Sequence, residues 1–276
     1  MTFPTHGTGK FGLSTTFHSS LETYTTLPVA LALSSAVTNR VSSGSNAVLF
    51  PRRRKDSNTS VVTDVKNQGS CGSCWAFSAV ATMEGRYALD SGDLQEFSEQ
   101  ELVDCTMNGT YTCEMGGEMH DGIDEIALNH GGKINTETQY PYEGRDSKTC
   151  NAKDDEAIDA GITGYANVTV GDEDALKAAA YARPIISVGI DASSISFQMY
   201  FGGVYDPIFC SSTRLDHGVS VVGYGTSETG KDYWWVKNSW GRGWGEKGYI
   251  EMARNKKNKC GIATDACYAL SKSAPQ

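Results

Sequence analysis

The chain has little that would suit it to a membrane, a nucleic acid or a metal. Its one leading apolar run, Leu27 to Val37, is too short to cross a bilayer, which takes about 20 residues. No other segment of the 276 residues is a candidate span. Lys and Arg number 24 against 33 Asp and Glu, a net charge of −9, so the basic surface that binds nucleic acid is missing. A second Cys-x-x-Cys, a His-x-x-x-His or a Cys-x-x-His is also absent, and with it the paired-ligand zinc site. No metal, no cofactor, no nucleic acid and no membrane partner is therefore expected.

What is present begins at residues 67–77, Asn-Gln-Gly-Ser-Cys-Gly-Ser-Cys-Trp-Ala-Phe. Cys74 follows a turn of small residues and opens an apolar stretch that reads as a buried helix. A thiol at a helix N-terminus meets the positive end of the dipole and unpaired N–H groups, both of which favour the nucleophilic thiolate. Gln68, just upstream, carries a neutral amide donor suited to an oxyanion. Two other chemistries fit the same stretch: a redox dithiol of Cys71 and Cys74, or half of a zinc site. A thiol hydrolase differs from both in needing a distant base and a group to orient it. Residues 215–225, Leu-Asp-His-Gly-Val-Ser-Val-Val-Gly-Tyr-Gly, put His217 at the mouth of an apolar strand. Residues 233–245, Tyr-Trp-Trp-Val-Lys-Asn-Ser-Trp-Gly-Arg-Gly-Trp-Gly, put Asn238 just past another. The remaining histidines, His6, His18, His120 and His130, read as surface residues.

From about Val61 to Tyr268 the chain resembles the papain-like cysteine peptidases, and within them the cathepsin L type. The motifs QGSCGSCWAFS, SEQELVDC, Gly116-Gly117, YPY at 140–142, DHGVSVVGYG and WWVKNSWGRGWGEKGYI carry the likeness. The resemblance implies an α+β, two-lobed fold with a helix-rich N-terminal half, a β-rich C-terminal half and the active-site cleft between them. It implies a cysteine endopeptidase, since no long insertion with paired histidines restricts the cleft to dipeptide release. Cys74 would be the nucleophile and His217 the base, the two forming a thiolate–imidazolium pair. Asn238 would orient His217, Trp240 would shield that bond, and Gln68 would meet the oxyanion. Gly116 and Gly117 would bring bare backbone close to substrate. Met119, Gly189, Leu215, Asp216, Trp240 and Asp265 would contribute to substrate binding, with Met119, Gly189 and Leu215 making the pocket for the second residue before the cut (P2) apolar and Asp265 at its far end. A carboxylate there suits basic as well as apolar side chains; its bland alternative is a solvent-facing Asp. The implied disulfides are Cys71–Cys113, Cys105–Cys150 and Cys210–Cys260. Cys113 stands one residue further from Gly116 than the family pattern has it. Cys267, where the family usually has serine, is a buried free thiol or an intermolecular bridge.

Eight cysteines favour an oxidising compartment. Sequons at Asn58, Asn108 and Asn167 fit the same secretory or lysosomal route. Peptide or protein substrates and cystatin-like inhibitors are the expected partners of a monomer. A second reading, a catalytically silent relative that binds peptides or partners, stays open.

Along the chain, residues 1–48 read as an atypical, poorly ordered leader without a recognisable pro-segment. The run Leu27–Val37 has the length of a signal-peptide core. Residues 49–276 read as the peptidase domain, split near residue 160 into a helical and a β-rich lobe. The basic run 52–55 is a processing site or a solvated loop, and the tryptophan expected near Asp56 is missing. Helices are expected over Cys74–Asp90 with a stop at Gly92, from the capping box Ser98–Glu101, over Ile123–Asn129, and over about Glu173–Ala182. Strands are expected at Ile185–Ile190, Val219–Tyr224, Tyr233–Lys237 and Tyr249–Ala253.

Overall fold

A computed structural model of the chain describes residues 60–147 and 149–273. The leader, the basic run, the neighbourhood of Asp56 and the sequon at Asn58 lie outside these residues.

Helix α1 (Cys74–Ser91) is apolar on nearly every side, the mark of a helix buried in a core. It stops at Gly92, whose φ of 80° lets its N–H reach the carbonyl of Ala88. Its few small polar residues fasten it to the sheet. Ser78 donates to Val219 O at 2.6 Å and lies 2.5 Å from the hydroxyl of Ser187. Thr82, one turn later, donates to Ile185 O at 2.9 Å and accepts the N–H of Ala269. Residues four apart share a helix face, so these anchors hold the face that begins at Cys74 against the sheet.

Helix α2 (Glu99–Cys105) starts as expected, with Ser98 accepting the N–H of Glu101. The box closes on one side only. The Glu101 carboxylate turns away from Ser98 to take the N–H of Asn135, and its other oxygen faces His130 at 3.9 Å. A 3₁₀ turn (Thr106–Gly109) follows. Helix α3 (Met119–Asp124) continues as a π turn through Glu125–Asn129, beginning earlier than the apolar run suggests. His130 corrects its surface assignment: its side chain is only 9% exposed, held by Asp154 at 2.7 Å and Glu125 at 3.5 Å over buried Glu101.

Strands β1 (Lys133–Ile134) and β2 (Ile158–Asp159) form a small ladder. Then come β3 (Ile162–Asn167), α4 (Glu173–Ala182), β4 (Ile186–Ile190), the single turn α5 (Ile195–Gln198) and β5 (Val204–Tyr205). They are followed by β6 (His217–Thr226), β7 (Asp232–Lys237), β8 (Tyr249–Ala253) and β9 (Asp265–Ser271). The larger sheet runs β3-β9-β4-β6-β7-β8-β5, antiparallel except for the β5–β8 pair. Strands β3 and β9 and helix α5 carry little alternation and escape a periodicity reading.

Two main cores result. One packs Trp75, Met83, Phe97, Leu102 and Ile123 in the helical lobe; the other packs Val188, Val221, Trp234 and Ile250 on the sheet. The boundary is not a clean cut near residue 160, because Ile162, Cys267 and Ala269 join the helical core. Cys267 is fully buried and free of any disulfide. Three disulfides, Cys71–Cys113, Cys105–Cys150 and Cys210–Cys260, join the remaining cysteines other than Cys74.

Candidate active site

Cys74 sits at the first position of α1, and β6 begins at His217 directly against it. The close approach depends on Gly218. A Cβ there would lie 3.1 Å from the backbone N and Cα of Trp75 and 3.2 Å from the carbonyl carbon of Cys74. Glycine lets the strand carry His217 this near the helix N-terminus without crowding, and the Gly218 N–H then serves the Cys74 sulfur.

Asn238, at the end of β7, places Oδ1 2.8 Å from His217 Nε2. The same oxygen accepts the N–H of Ser239 at 2.8 Å, which fixes it as an acceptor and makes Nε2 the donor. The other ring nitrogen, Nδ1, is thereby left for the thiol. Trp240 lies over the imidazole with ring centroids 4.8 Å apart, and Phe197 of α5 meets both rings edge-on. His217 and Asn238 are both buried.

Gln68 is held from two sides. Its Nε2 donates to Cys71 O at 2.9 Å, its Oε1 accepts from the Ser239 hydroxyl at 2.6 Å, and its backbone N–H reaches Ser239 O. One amide hydrogen is spent in this way and the second remains to donate. The Cys71–Cys113 disulfide, with the Gly72 N–H donating to Cys113 O, secures the turn between Gln68 and Cys74.

The electrostatics run against the directions expected from a helix N-terminus and a charge pair. Burial pushes the Cys74 thiol up, the backbone N–H groups of Gly218 and Trp75 pull it back, and the charge of Asp216 adds to the rise. Burial also pushes the His217 imidazole down, against the hydrogen bond to Asn238 and the charge of Asp216. Desolvation penalises either charge by itself.

The residues singled out for substrate binding divide into two groups. Gly218 of β6 pairs directly with Gly189 of β4, and Gly189 pairs with Asp265 of β9. Directly opposed residues share a face and neighbouring strands are about 4.8 Å apart. A trough floored by two glycines thus runs from the thiol to a carboxylate. Leu215 walls it, 3.1 Å from where a Gly189 Cβ would stand, and Asp265 Oδ2 is 3.6 Å from the same point. Asp216 lies outside the trough, its carboxylate accepting the N–H of Ala192.

The second group lies on the helical lobe. Gly116 has φ 74°. Gly117 is required for an internal reason: a Cβ would stand 2.7 Å from Trp75 and collide with Tyr111, whose hydroxyl bonds Asp121. Met119 is buried in the helical core at the start of α3. Between Gly117 and Met119 stands Glu118, exposed and within range of the Asp265 charge.

Residues 51–270 match the family model described as papain family cysteine protease. The chain belongs to the papain family. It is 53% identical over 213 residues to a protein called cathepsin L-like from Caenorhabditis elegans, covering 77% of this chain and 62% of that one. It is 51% identical over 207 residues to digestive cysteine proteinase 1 of Homarus americanus, covering 75% of this chain and 63% of that one. Among solved structures, digestive procathepsin L 3 from the Tenebrio molitor larval midgut superposes with a TM-score of 0.71 at 41% identity, covering 76% of this chain and 67% of that one. The chain spans about three-fifths of the length of these curated relatives. The α+β, papain-like architecture implied by the motifs is the one observed. Among the described residues no helix is long and apolar enough to cross a membrane.

Proposed function

We propose that the chain is a cysteine endopeptidase with Cys74 as nucleophile, His217 as acid and base, Asn238 as the residue that orients His217, and Gln68 as oxyanion donor. The observation that carries this reading is the 2.8 Å bond from His217 Nε2 to Asn238 Oδ1 beside a cysteine at a helix start. The Cys74 proton moves to His217 Nδ1, so the two buried charges appear together and each offsets the desolvation of the other. The thiolate sulfur bonds the peptide carbonyl carbon. His217 returns its proton to the leaving nitrogen as the C–N bond breaks, leaving an acyl-enzyme. Water gives a proton to His217, attacks the same carbon and expels the thiolate. The Gln68 amide and the Cys74 N–H meet the oxygen that becomes negative.

The trough from Cys74 to Asp265 supports a P2 site that takes apolar side chains along Leu215 and basic ones against Asp265. Three disulfides and exposed sequons at Asn108 and Asn167 support a lysosomal or secreted enzyme acting on peptides or proteins. The test is mass-spectrometric labelling of the full chain with a peptidyl epoxide, alongside turnover of a Phe-Arg fluorogenic dipeptide. A single adduct on Cys74, abolished in Cys74→Ala together with turnover, is expected. Folded protein that neither labels nor turns over would instead be a silent peptide-binding relative.

A further inference from the structure

The disulfide Cys105–Cys150 has a histidine beside it. Its two sulfurs and one ring nitrogen of His130 lie within 4.8 Å of one another. Among the described residues, no other disulfide gathers a third metal-ligating group so closely. A fourth donor stands on the same helix as Cys105. Glu101 and Cys105 are four residues apart on α2 and so share a face. Glu101 is fully buried, and one of its carboxylate oxygens accepts the N–H of Asn135. The other, Oε1, has no hydrogen-bond partner and faces His130 Nδ1 at 3.9 Å. A buried carboxylate oxygen is costly to leave in that condition unless something comes to meet it. Each nitrogen of the His130 ring also has a carboxylate near it: Asp154 is 2.7 Å from Nδ1 and Glu125 is 3.5 Å from Nε2. Whichever nitrogen turns to a metal, the other keeps a carboxylate, the arrangement that orients metal-bound histidines.

We propose that the reduced pair Cys105 and Cys150, with His130 and Glu101, is a zinc site that the disulfide closes. Zinc takes four ligands at about 2.0–2.3 Å, and thiolate, imidazole and carboxylate all suit it. Atoms held at that radius stand about 3–4 Å from one another, so the group at Cys105, His130 and Cys150 needs only small side-chain movements to reach them. The ligands come from separate stretches of the chain, which is why no short-spaced motif announces them. Cys150 is exposed and Cys105 is buried, so a small thiol reaches the Cys150 sulfur. The incoming thiolate bonds that sulfur, the S–S bond breaks, and Cys105 leaves as a thiolate beside His130. A second thiol then bonds the first and frees Cys150. Two thiols thus supply two electrons and become one disulfide. The two cysteines give up any protons they hold as zinc binds.

The test uses the full chain carrying Cys74→Ala, which keeps the catalytic thiol away from the metal and prevents self-cleavage. The protein is opened with a small thiol, freed of it without air, and given cobalt(II) as a spectroscopic probe and then zinc. One equivalent of cobalt should bind the reduced protein with thiolate charge-transfer and tetrahedral d–d absorption, and zinc should displace it. The oxidised protein should show neither band. Zinc should also shield Cys105 and Cys150 from alkylation, read by mass spectrometry, but not Cys71, Cys113, Cys210 or Cys260. That readout needs no change to a ligand. His130→Ala and Glu101→Gln, with their circular dichroism retained, should each lower zinc affinity at least tenfold, since loss of even a supporting residue typically costs about 10- to 100-fold. A disulfide that the thiol cannot open in folded protein would overturn the site. Equal alkylation of all six cysteines with zinc present would do the same, as would full affinity in folded His130→Ala or Glu101→Gln.

Discussion

Gly218 of β6 and Trp75 of α1 meet backbone to backbone, more closely than a methyl group between them would ordinarily allow. Every relation between the thiol and the imidazole passes through this contact, since Cys74 and His217 are the adjacent residues on either side. Gly218→Ala should shift the strand against the helix by a few tenths of an ångström, because peptide backbone yields less readily than a side-chain tip. Overpacking of this kind costs about 1–3 kcal/mol. A drop in kcat of tenfold or more is expected with the far-ultraviolet circular dichroism retained. Full turnover in Gly218→Ala would mean that the spacing does not matter.

Gln68→Ala removes one oxyanion donor, typically worth about 3–4 kcal/mol in the transition state. Turnover should fall roughly 100-fold or more, with KM little changed. The bonds to Cys71 and Ser239 are lost as well, so urea unfolding should report a smaller loss of about 1–2 kcal/mol. Unchanged kcat would remove Gln68 from the chemistry.

Asn238→Ala strands the His217 N–H in a buried site. Leaving a buried donor unsatisfied costs about 1–3 kcal/mol, or roughly 10- to 100-fold in rate if the ring misorients. Epoxide labelling of Cys74 should slow in parallel. Labelling at the parent rate would show that Trp240 and Phe197 hold the ring without Asn238.

Buried acids make folding depend on pH. Burial raises the Glu101 carboxyl to about 7 and the Glu99 carboxyl to about 8. A carboxyl raised in the folded state binds its proton more tightly there than when unfolded. Its contribution is complete below the unfolded value near 4.3 and is lost as pH rises through 7 to 8. Urea midpoints should therefore fall between pH 4.5 and pH 8, and Glu101→Gln should flatten part of the slope. A midpoint that climbs over that range would contradict the assignment.

Much of the site was legible because its chemistry is written in contiguous motifs. Cys74, His217 and Asn238 each stand at the edge of an apolar run, and Gly92 and Ser98 announce where helices stop and start. The elements that escaped are those whose order comes from neighbours. Strand β9 is defined by pairing with β3 and β4, and α5 is a single turn held by Phe197 against His217 and Trp240. The same holds for His130, which its place beside a short helical pattern suggested was exposed. Three carboxylates, contributed by α2, the π turn after α3 and the loop before β2, cover it instead.

Residue types at fixed local patterns pointed to the family and to Cys74, His217, Asn238 and Gln68 as the candidate site, and the disulfide pairing, which the family likeness implied, is the one observed. Tertiary structure decided the rest. The row Gly218–Gly189–Asp265 exists only once three strands far apart in the chain are set in register. The sign of the shifts at Cys74 and His217 follows from burial, a property no single segment possesses before the lobes close around it.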